Sequence, residues 1–467
     1  MDELNAVISH VQRITVTAAI IGIILIIFRC IYMRRRKSGY LSTARVGHGH
    51  GIIFGKNRTG TVEYFSPCDN EGSCFVCGTS GTGKTSALLI PTLQSWDGTS
   101  LTIDISGDIS ANVDCPNKLI YAPEDPQSLP YNIFAAIDAL SSIADQNEAL
   151  TNLAYLLMPD APNTSAAAKY FQDGGREMFI AALIAFYHNQ LDFCDICEKI
   201  LASNYRVLLN EIDQTKNKMA IYHINQFENN NEQNTQGCKQ NRDNAIMLFV
   251  TNERVRRSVR RPISPSEPYF SPETIETHNV FVCIPDIKLK VYAPLLRIIA
   301  AQSLDYFSGR PNGTKPTILF SLDEFHSLGK MEIGDALRKL RKKNVRILVL
   351  TQSIADIDEV YGQGAHKAMI DNFPYKIILG VGGTETQKYF AEMIGMADRK
   401  TTSTTKSSGH HSETVSYRKD YIVEPADLGR LDQDLILLYP GGHKRLKKNF
   451  YYQHKFWLLI FKILFES

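Results

Sequence analysis

Cys74-Phe-Val-Cys-Gly-Thr-Ser-Gly-Thr-Gly-Lys-Thr85 is the stretch that decides the fold. Gly78, Thr79, Ser80, Gly81, Thr82, Gly83, Lys84 and Thr85 satisfy G-x-x-x-x-G-K-[ST] at every fixed position. The apolar run 74–77 predicts a strand entering this loop, and the pattern over 86–95 predicts a helix leaving it. Glycines let successive backbone N–H groups turn inward on a polyphosphate with no Cβ in the way. The following helix presents its positive end to the same anion. Lys84 is set to reach the β- and γ-phosphates of ATP, and the Thr85 hydroxyl to ligate Mg²⁺.

Working outward, residues 317–324 read Thr-Ile-Leu-Phe-Ser-Leu-Asp-Glu, a Walker B pattern. An apolar strand ending in adjacent carboxylates puts them at the carboxyl edge of a sheet, where open α/β folds bind ligands. Asp323 is placed to hold Mg²⁺ through water, and Glu324 to polarise the attacking water. Residues 345–352 form a further buried-strand pattern ending in Gln352. In P-loop motors a polar residue there touches the γ-phosphate or the water; an ordinary strand cap is the other reading.

Strand patterns at 100–105, 118–121, 279–284 and 375–381 alternate with helical ones, the rhythm of a mostly parallel sheet covered on both faces. Between 137 and 271 the strand signals fade and helical periodicities dominate. The expected fold is an α/β, RecA-like P-loop NTPase with an inserted all-α domain. Its nucleotide domain is discontinuous, residues 40–136 and 272–450, with the insertion at 137–271 and a tail at 451–467. Residues 40–70 read as a small β-rich lead-in. The Asn- and Gln-rich stretch 225–244 reads as a surface loop, and the Ser/Thr/His-rich stretch 399–417 as a mobile loop. The basic run 254–261 reads either as a solvated helix face or as a phosphate-backbone contact.

The N-terminus sets the location. Residues 14–33 are apolar apart from Thr15, Thr17 and Arg29, and twenty helical residues span about 30 Å, enough to cross a bilayer. Arg34-Arg-Arg-Lys37 follows, which puts that end in the cytoplasm. A cleavable signal peptide is disfavoured because the charges come after the apolar run. The expectation is one transmembrane helix in the inner membrane, residues 1–13 outside and the bulk of the chain cytoplasmic. The run 456–465 is too short to span and reads as a packed amphipathic end.

Composition fits this plan. The chain has 467 residues, 44% hydrophobic and 21% charged, with net charge +2, so any basic surface is local. Nine cysteines in this length are not a secreted disulfide framework. Of two Cys-x-x-Cys pairs, Cys74/Cys77 lies in a strand, so buried thiols are favoured over zinc. His410 and His411 have no partner at ligand spacing.

The ordered set of motifs resembles the type IV coupling proteins (TraG/TraD type), the membrane-anchored ATPases of conjugation and type IV secretion. The resemblance rests on Thr43-Ala-Arg45, the Gly78 loop with Ile90-Pro-Thr-Leu93, Asp104-Ile-Ser-Gly-Asp108 and Tyr131-Asn132. It continues through Leu322-Asp-Glu-Phe325, Leu328-Gly329, Thr351-Gln-Ser353, Tyr361-Gly362 and the segment 425–431. It implies a homo-hexameric ring that couples ATP hydrolysis to sequence-independent movement of single- or double-stranded DNA. The implied partners are a relaxase and its relaxosome, the membrane, and components of a type IV secretion channel. Similar proteins carry a basic residue where Arg341 stands, able to act across a subunit interface as an arginine finger; a solvated basic face is the other reading.

Two departures stand out. The family usually shows two transmembrane helices where one is found here, and Asp-Ile-Ser-Gly-Asp replaces its more usual Asp-x-Lys-Gly-Glu. Two other functions compete: a chromosome-segregation-type translocase and a non-hydrolysing membrane receptor. The first should carry a terminal winged-helix domain. The second need not keep Lys84, Asp323, Glu324 and Gln352.

Overall fold

In the computed structural model, residues 41–44, 51–57, 64–67, 72–160, 165–227, 231–331, 333–407 and 410–453 are described. The apolar run 14–33 and the closing run 456–465 lie outside them. Among the described residues no helix is long and apolar enough to cross a membrane.

Among the described residues fourteen strands follow in chain order: β1 (Leu41–Ala44), β2 (Gly55–Lys56), β3 (Tyr64–Pro67), β4 (Cys74–Cys77), β5 (Thr99–Asp104), β6 (Lys118–Tyr121), β7 (Asn279–Cys283), β8 (Ile318–Leu322), β9 (Val345–Thr351), β10 (Tyr375–Ile378), β11 (Met396–Ser407), β12 (His410–Tyr421), β13 (Asp434–Tyr439) and β14 (Gly442–Lys447). All but β11 and β12 join one sheet, in the order β1-β3-β2-β14-β13-β10-β4-β9-β8-β5-β7-β6. From β10 to β6 every pairing is parallel; from β13 to β1 every pairing is antiparallel. Strands β4, β5, β8 and β9 are buried at every position, as strands covered on both faces must be.

This order positions the site. β9 lies between β4 and β8, and all three run the same way, so their carboxyl ends line one edge. Neighbouring strands sit about 4.8 Å apart, which puts the ends of β4 and β8 roughly 10 Å apart with β9 between them. That spacing leaves room for a phosphate and a water.

β6 and β7 are adjacent and parallel, yet the helices from Ile143–Leu157 to Glu253–Ser258 lie between them in sequence. A narrow neck closes the excursion: Tyr131 N–H donates to the Ser258 carbonyl at 2.7 Å, and Phe270 N–H to the Pro130 carbonyl at 2.8 Å. Inside the insertion, helix Ala166–Tyr187 buries every residue from Met178 onward. A helix apolar all round must be central, and its neighbours wrap it.

Two expectations are corrected, and the open reading of the basic run is narrowed. The stretch read as a surface loop at 225–244 is largely the helix Glu232–Thr251, capped by the Asn231 side chain accepting from Gln233 N–H. Its Asn and Gln residues face out, while Thr235, Cys238, Arg242, Ile246 and Phe249 recur at helical spacing and are buried. The stretch read as a mobile loop at 399–417 is the antiparallel ribbon of β11 and β12. Its hydroxyl-rich, β-branched sequence suits a pleated backbone, though it offers no apolar alternation. The basic run 254–261 is answered within the chain: Arg254 pairs with Glu124, Arg256 with Glu198, Arg260 with Glu267 and Arg261 with Asp138.

Candidate functional site

β4 delivers the chain to the Gly78–Thr85 loop. Gly81 and Gly83 have φ of 77° and 95°, the left-handed region that a side chain makes costly. Nothing lies within 4 Å of where a Gly81 Cβ would sit, so the rim is open. The loop is braced from both sides. Gly78 N–H donates to the Thr351 carbonyl of β9 at 3.2 Å, and Thr79 N–H to the Gly380 carbonyl beyond β10 at 2.9 Å. Thr82 Oγ1 donates to the Thr79 carbonyl at 2.7 Å.

Lys84 is only 6% exposed, and its Nζ donates to the carbonyls of Gly78 (2.8 Å) and Thr79 (3.4 Å). The ammonium therefore lies folded against the loop's own carbonyls. The helix that follows begins as one π-wound segment, Lys84–Leu89, before becoming α-helical at Ile90–Ser95. Thr85 is partly exposed beside it.

β8 ends at Leu322 and hands over to Asp323, which is buried; burial first, then the charge of Glu324, pushes its carboxyl up to about 7. Lys84 opposes that rise, and Asp104 adds to it. Asp104 is fully buried at the end of β5, accepting from the N–H groups of Gly107 (2.9 Å) and Ser110 (2.7 Å). Asp108 is exposed.

Glu324 stops the strand, with φ 51° and ψ 52° in the left-handed region. That turn directs its carboxylate to Gln352, whose Nε2 donates to both oxygens at 3.1 Å. His326 Nδ1 stands 3.6 Å from Glu324 Oε2, buried and with no hydrogen-bond partner. Gln352 is fixed from behind: Asp356 accepts from its N–H at 3.2 Å and from Ser353 N–H at 2.9 Å, closing a capping box on helix Ile354–Tyr361. Cys77 and Cys74 are buried strand thiols, and Cys77 Sγ donates to the Gln352 carbonyl at 3.6 Å.

The structure thus brings Lys84, Asp323, Glu324 and Gln352 to one edge of three adjacent strands. It does not bring Arg341 there. Arg341 is exposed in the turn Arg341–Lys343 at the amino end of β9, and seven strand residues at about 3.3 Å each separate the two ends by roughly 20 Å. Sequence reading named Asp104 only within a motif, without a site role, and missed Asp356 and His326. Ser353-x-x-Asp356 was a legible helix-start signal, and Asp104 a buried-strand terminus. Nothing in the sequence sets His326 apart.

The residues present fit a magnesium–nucleotide. The open rim at Gly81 and the buried Lys84 ammonium suit a polyphosphate. Burial and the charge of Glu324 raise the Asp323 carboxyl, a cost that a cation beside it would offset, and the Thr85 hydroxyl is a hard oxygen donor of the kind Mg²⁺ takes.

Residues 37–462 match the family model described as Type IV secretory system Conjugative DNA transfer. Among curated relatives, protein VirD4 of Agrobacterium fabrum is 24% identical over 437 residues, covering 88% of this chain and 63% of its own length. The type IV secretion system-coupling protein VirD4 of Bartonella quintana is 21% identical over 432 residues, covering 87% and 67%. The chain thus spans under two thirds of the Agrobacterium fabrum relative. Among solved structures, the bacterial conjugative coupling protein TrwBdeltaN70, unbound, superposes with a TM-score of 0.67 at 16% identity, covering 88% of this chain and 96% of that one. TrwB in complex with ADP and Mg²⁺ gives 0.66 at 16% identity, covering 88% and 94%. At this identity the likeness speaks for the fold, a TrwB-like α/β fold with a mostly parallel sheet. With the matched residues spanning nearly the whole sequence, the chain belongs to the Type IV secretory system Conjugative DNA transfer family.

Proposed function

We propose that this chain is a membrane-anchored ATPase of the coupling type, which couples ATP hydrolysis to delivery of DNA, with an attached relaxase, to a type IV secretion channel. The observation that carries the reading is the meeting of Lys84, Asp323, Glu324 and Gln352 at the ends of β4, β8 and β9, in a chain of the conjugative DNA transfer family. The structural neighbour TrwB has been solved in complex with ADP and Mg²⁺, which supports the nucleotide and the metal.

In this reading the loop 78–85 cradles the β- and γ-phosphates with its N–H groups, and Lys84 turns from the loop carbonyls to the phosphate oxygens. Thr85 and Asp323 hold Mg²⁺, which supplies charge neutralisation on the phosphates when bound. Glu324 accepts a proton from, or orients, the attacking water, and Gln352 aims its amide at the γ-phosphate or at that water. Arg341 lies at the far edge of its own sheet, so its place as a finger is in a neighbour's site, within a homo-hexamer. Residues 40–136 and 272–450 form the motor, 137–271 the helical insertion, and 14–33 the single anchor in the inner membrane.

The test is steady-state ATP turnover by the full chain with and without single- and double-stranded DNA. Turnover stimulated by DNA is expected. ATP binding with no turnover under either condition would leave only a receptor.

A further inference from the structure

The ribbon of β11 and β12 carries an observation that the motor reading does not absorb. Each strand is twelve residues, so at about 3.4 Å per residue the ribbon is roughly 40 Å long. It rises from helix Thr384–Ile394, with Ile422 N–H donating to the Gly395 carbonyl at 3.1 Å at its root. Above that root, residues 396–402 and 415–419 are exposed at every position, on both faces. A two-stranded ribbon with both faces in water is marginal by itself. A contact with another molecule would stabilise it.

The register shows what chemistry would. On one face Lys400 sits directly opposite Tyr417, and Lys419 lies two residues further along, beside Asp398. Tyr417 is 71% exposed, a large aromatic held out in water. On the other face Arg399 is directly opposite Arg418. Like charges facing one another across a ladder are destabilising. Asp420 offsets this pair only partly, at 3.1 Å from Arg418 and 3.8 Å from Arg399. The two strands carry five lysines and arginines against three acids, and four of those cations flank the exposed ring, so the ribbon is net positive with a stacking platform. A nucleic-acid strand supplies phosphates for the cations and a base for the ring, and such platforms bind without reading sequence.

We propose that the β11–β12 ribbon is a contact surface for single-stranded nucleic acid, with Tyr417 stacking on a base and Lys400, Lys419 and the Arg399/Arg418 pair holding phosphates. This rests on the reading of the chain as a DNA-delivering motor and adds where the strand is held. A second copy of this chain is the rival occupant. It is less favoured because identical net positive ribbons repel, and because the exposed apolar positions, Met396, Ala397 and Val415, are interspersed with hydroxyls and charges rather than forming a continuous apolar face.

The experiment uses the full chain in detergent, a fluorescent thirty-mer of deoxythymidine, and light scattering to read assembly size. Stacking contributes about 1–3 kcal/mol per base, so Tyr417→Ala should weaken binding by roughly 5- to 150-fold, and Tyr417→Trp should restore it. Lys400→Ala with Lys419→Ala should lower the slope of log affinity against log salt by about 1.4, some 0.7 for each phosphate no longer neutralised. Basal ATP turnover without nucleic acid should stay within about twofold, since neither change touches the strand edge where phosphates are expected. Variants that bind the thirty-mer like the parent overturn the ribbon proposal and leave the motor reading intact. Variants that bind normally but lose assembly size assign the ribbon to a subunit contact instead. A parent chain that binds neither the thirty-mer nor duplex DNA overturns both readings together.

Discussion

The Gln352 amide donates to both carboxylate oxygens of Glu324, 3.1 Å from each. The two N–H bonds of a primary amide diverge widely while the two oxygens of one carboxylate lie close together, so a single N–H is shared between them and couples Gln352 to the residue proposed to handle water. The second N–H points away from that carboxylate and is the one that can meet a phosphate or the water. Gln352→Ala should therefore leave ATP affinity within about threefold and lower turnover by roughly 10²-fold, the smaller end of what water-positioning groups contribute. Measuring binding and turnover on the same preparation checks it. Wild-type turnover would reduce Gln352 to a strand cap.

Glu324 and Lys84 should separate by chemistry. Glu324→Gln keeps shape but removes the carboxylate, so it should bind ATP and turn over about 10²–10⁴-fold more slowly. Lys84→Ala removes the buried ammonium at the loop mouth, so binding and turnover should both fall. Glu324→Gln hydrolysing within about threefold of the parent would move the water-handling role elsewhere, with buried Asp104 the next carboxylate to substitute.

Arg341 and Lys84 should complement each other between subunits. Each site in a mixed ring could take its Lys84 from an Arg341→Ala subunit and its finger from a Lys84→Ala neighbour. Each variant alone should be inactive, and mixing them should restore a fraction of parental turnover. No recovery on mixing, with mixed assembly shown by pull-down, removes Arg341 from the site.

Acid should loosen the exit of the helical insertion. The Arg260 guanidinium, and after it the Ile263 N–H, holds the Glu267 carboxyl down at about 2, below its ordinary value near 4.5. A depressed carboxyl stabilises the fold fully above its unfolded value and loses that contribution as pH falls through the folded one. The melting-temperature gap between the parent and Glu267→Gln should thus be widest near pH 6 and narrower at pH 3. A gap that does not change with pH would show that this pair does not couple to folding.

What the sequence made legible is whatever a motif or a period states locally. The loop 78–85, the carboxylates after β8 and Gln352 after β9 each sit at the end of an apolar run, and adjacency in the sheet converts those ends into one site. The insertion was legible as a loss of strand signals. The ribbon was not, because its pairing is cross-strand and both faces are polar, so no alternation marks it. The helix Glu232–Thr251 was hidden by Asn and Gln on its outer face. Arg254 to Arg261 looked like a basic surface because Glu124, Glu198 and Asp138, which answer it, are distant in sequence.

The position of β4 in the sheet has a consequence for synthesis. Cys77 registers with Thr351 on one side and Ile378 on the other, so both flanking strands are made about 300 residues after the loop they brace. At 5–20 residues per second a ribosome takes roughly 15–60 s to supply them. Through that interval the nascent 78–85 segment lacks the Thr351 and Gly380 carbonyls that hold it, and β4 has two open edges. The proposed nucleotide capture would therefore be among the last competences the emerging polypeptide acquires, and a prematurely terminated chain would expose an unpaired strand before that loop is braced.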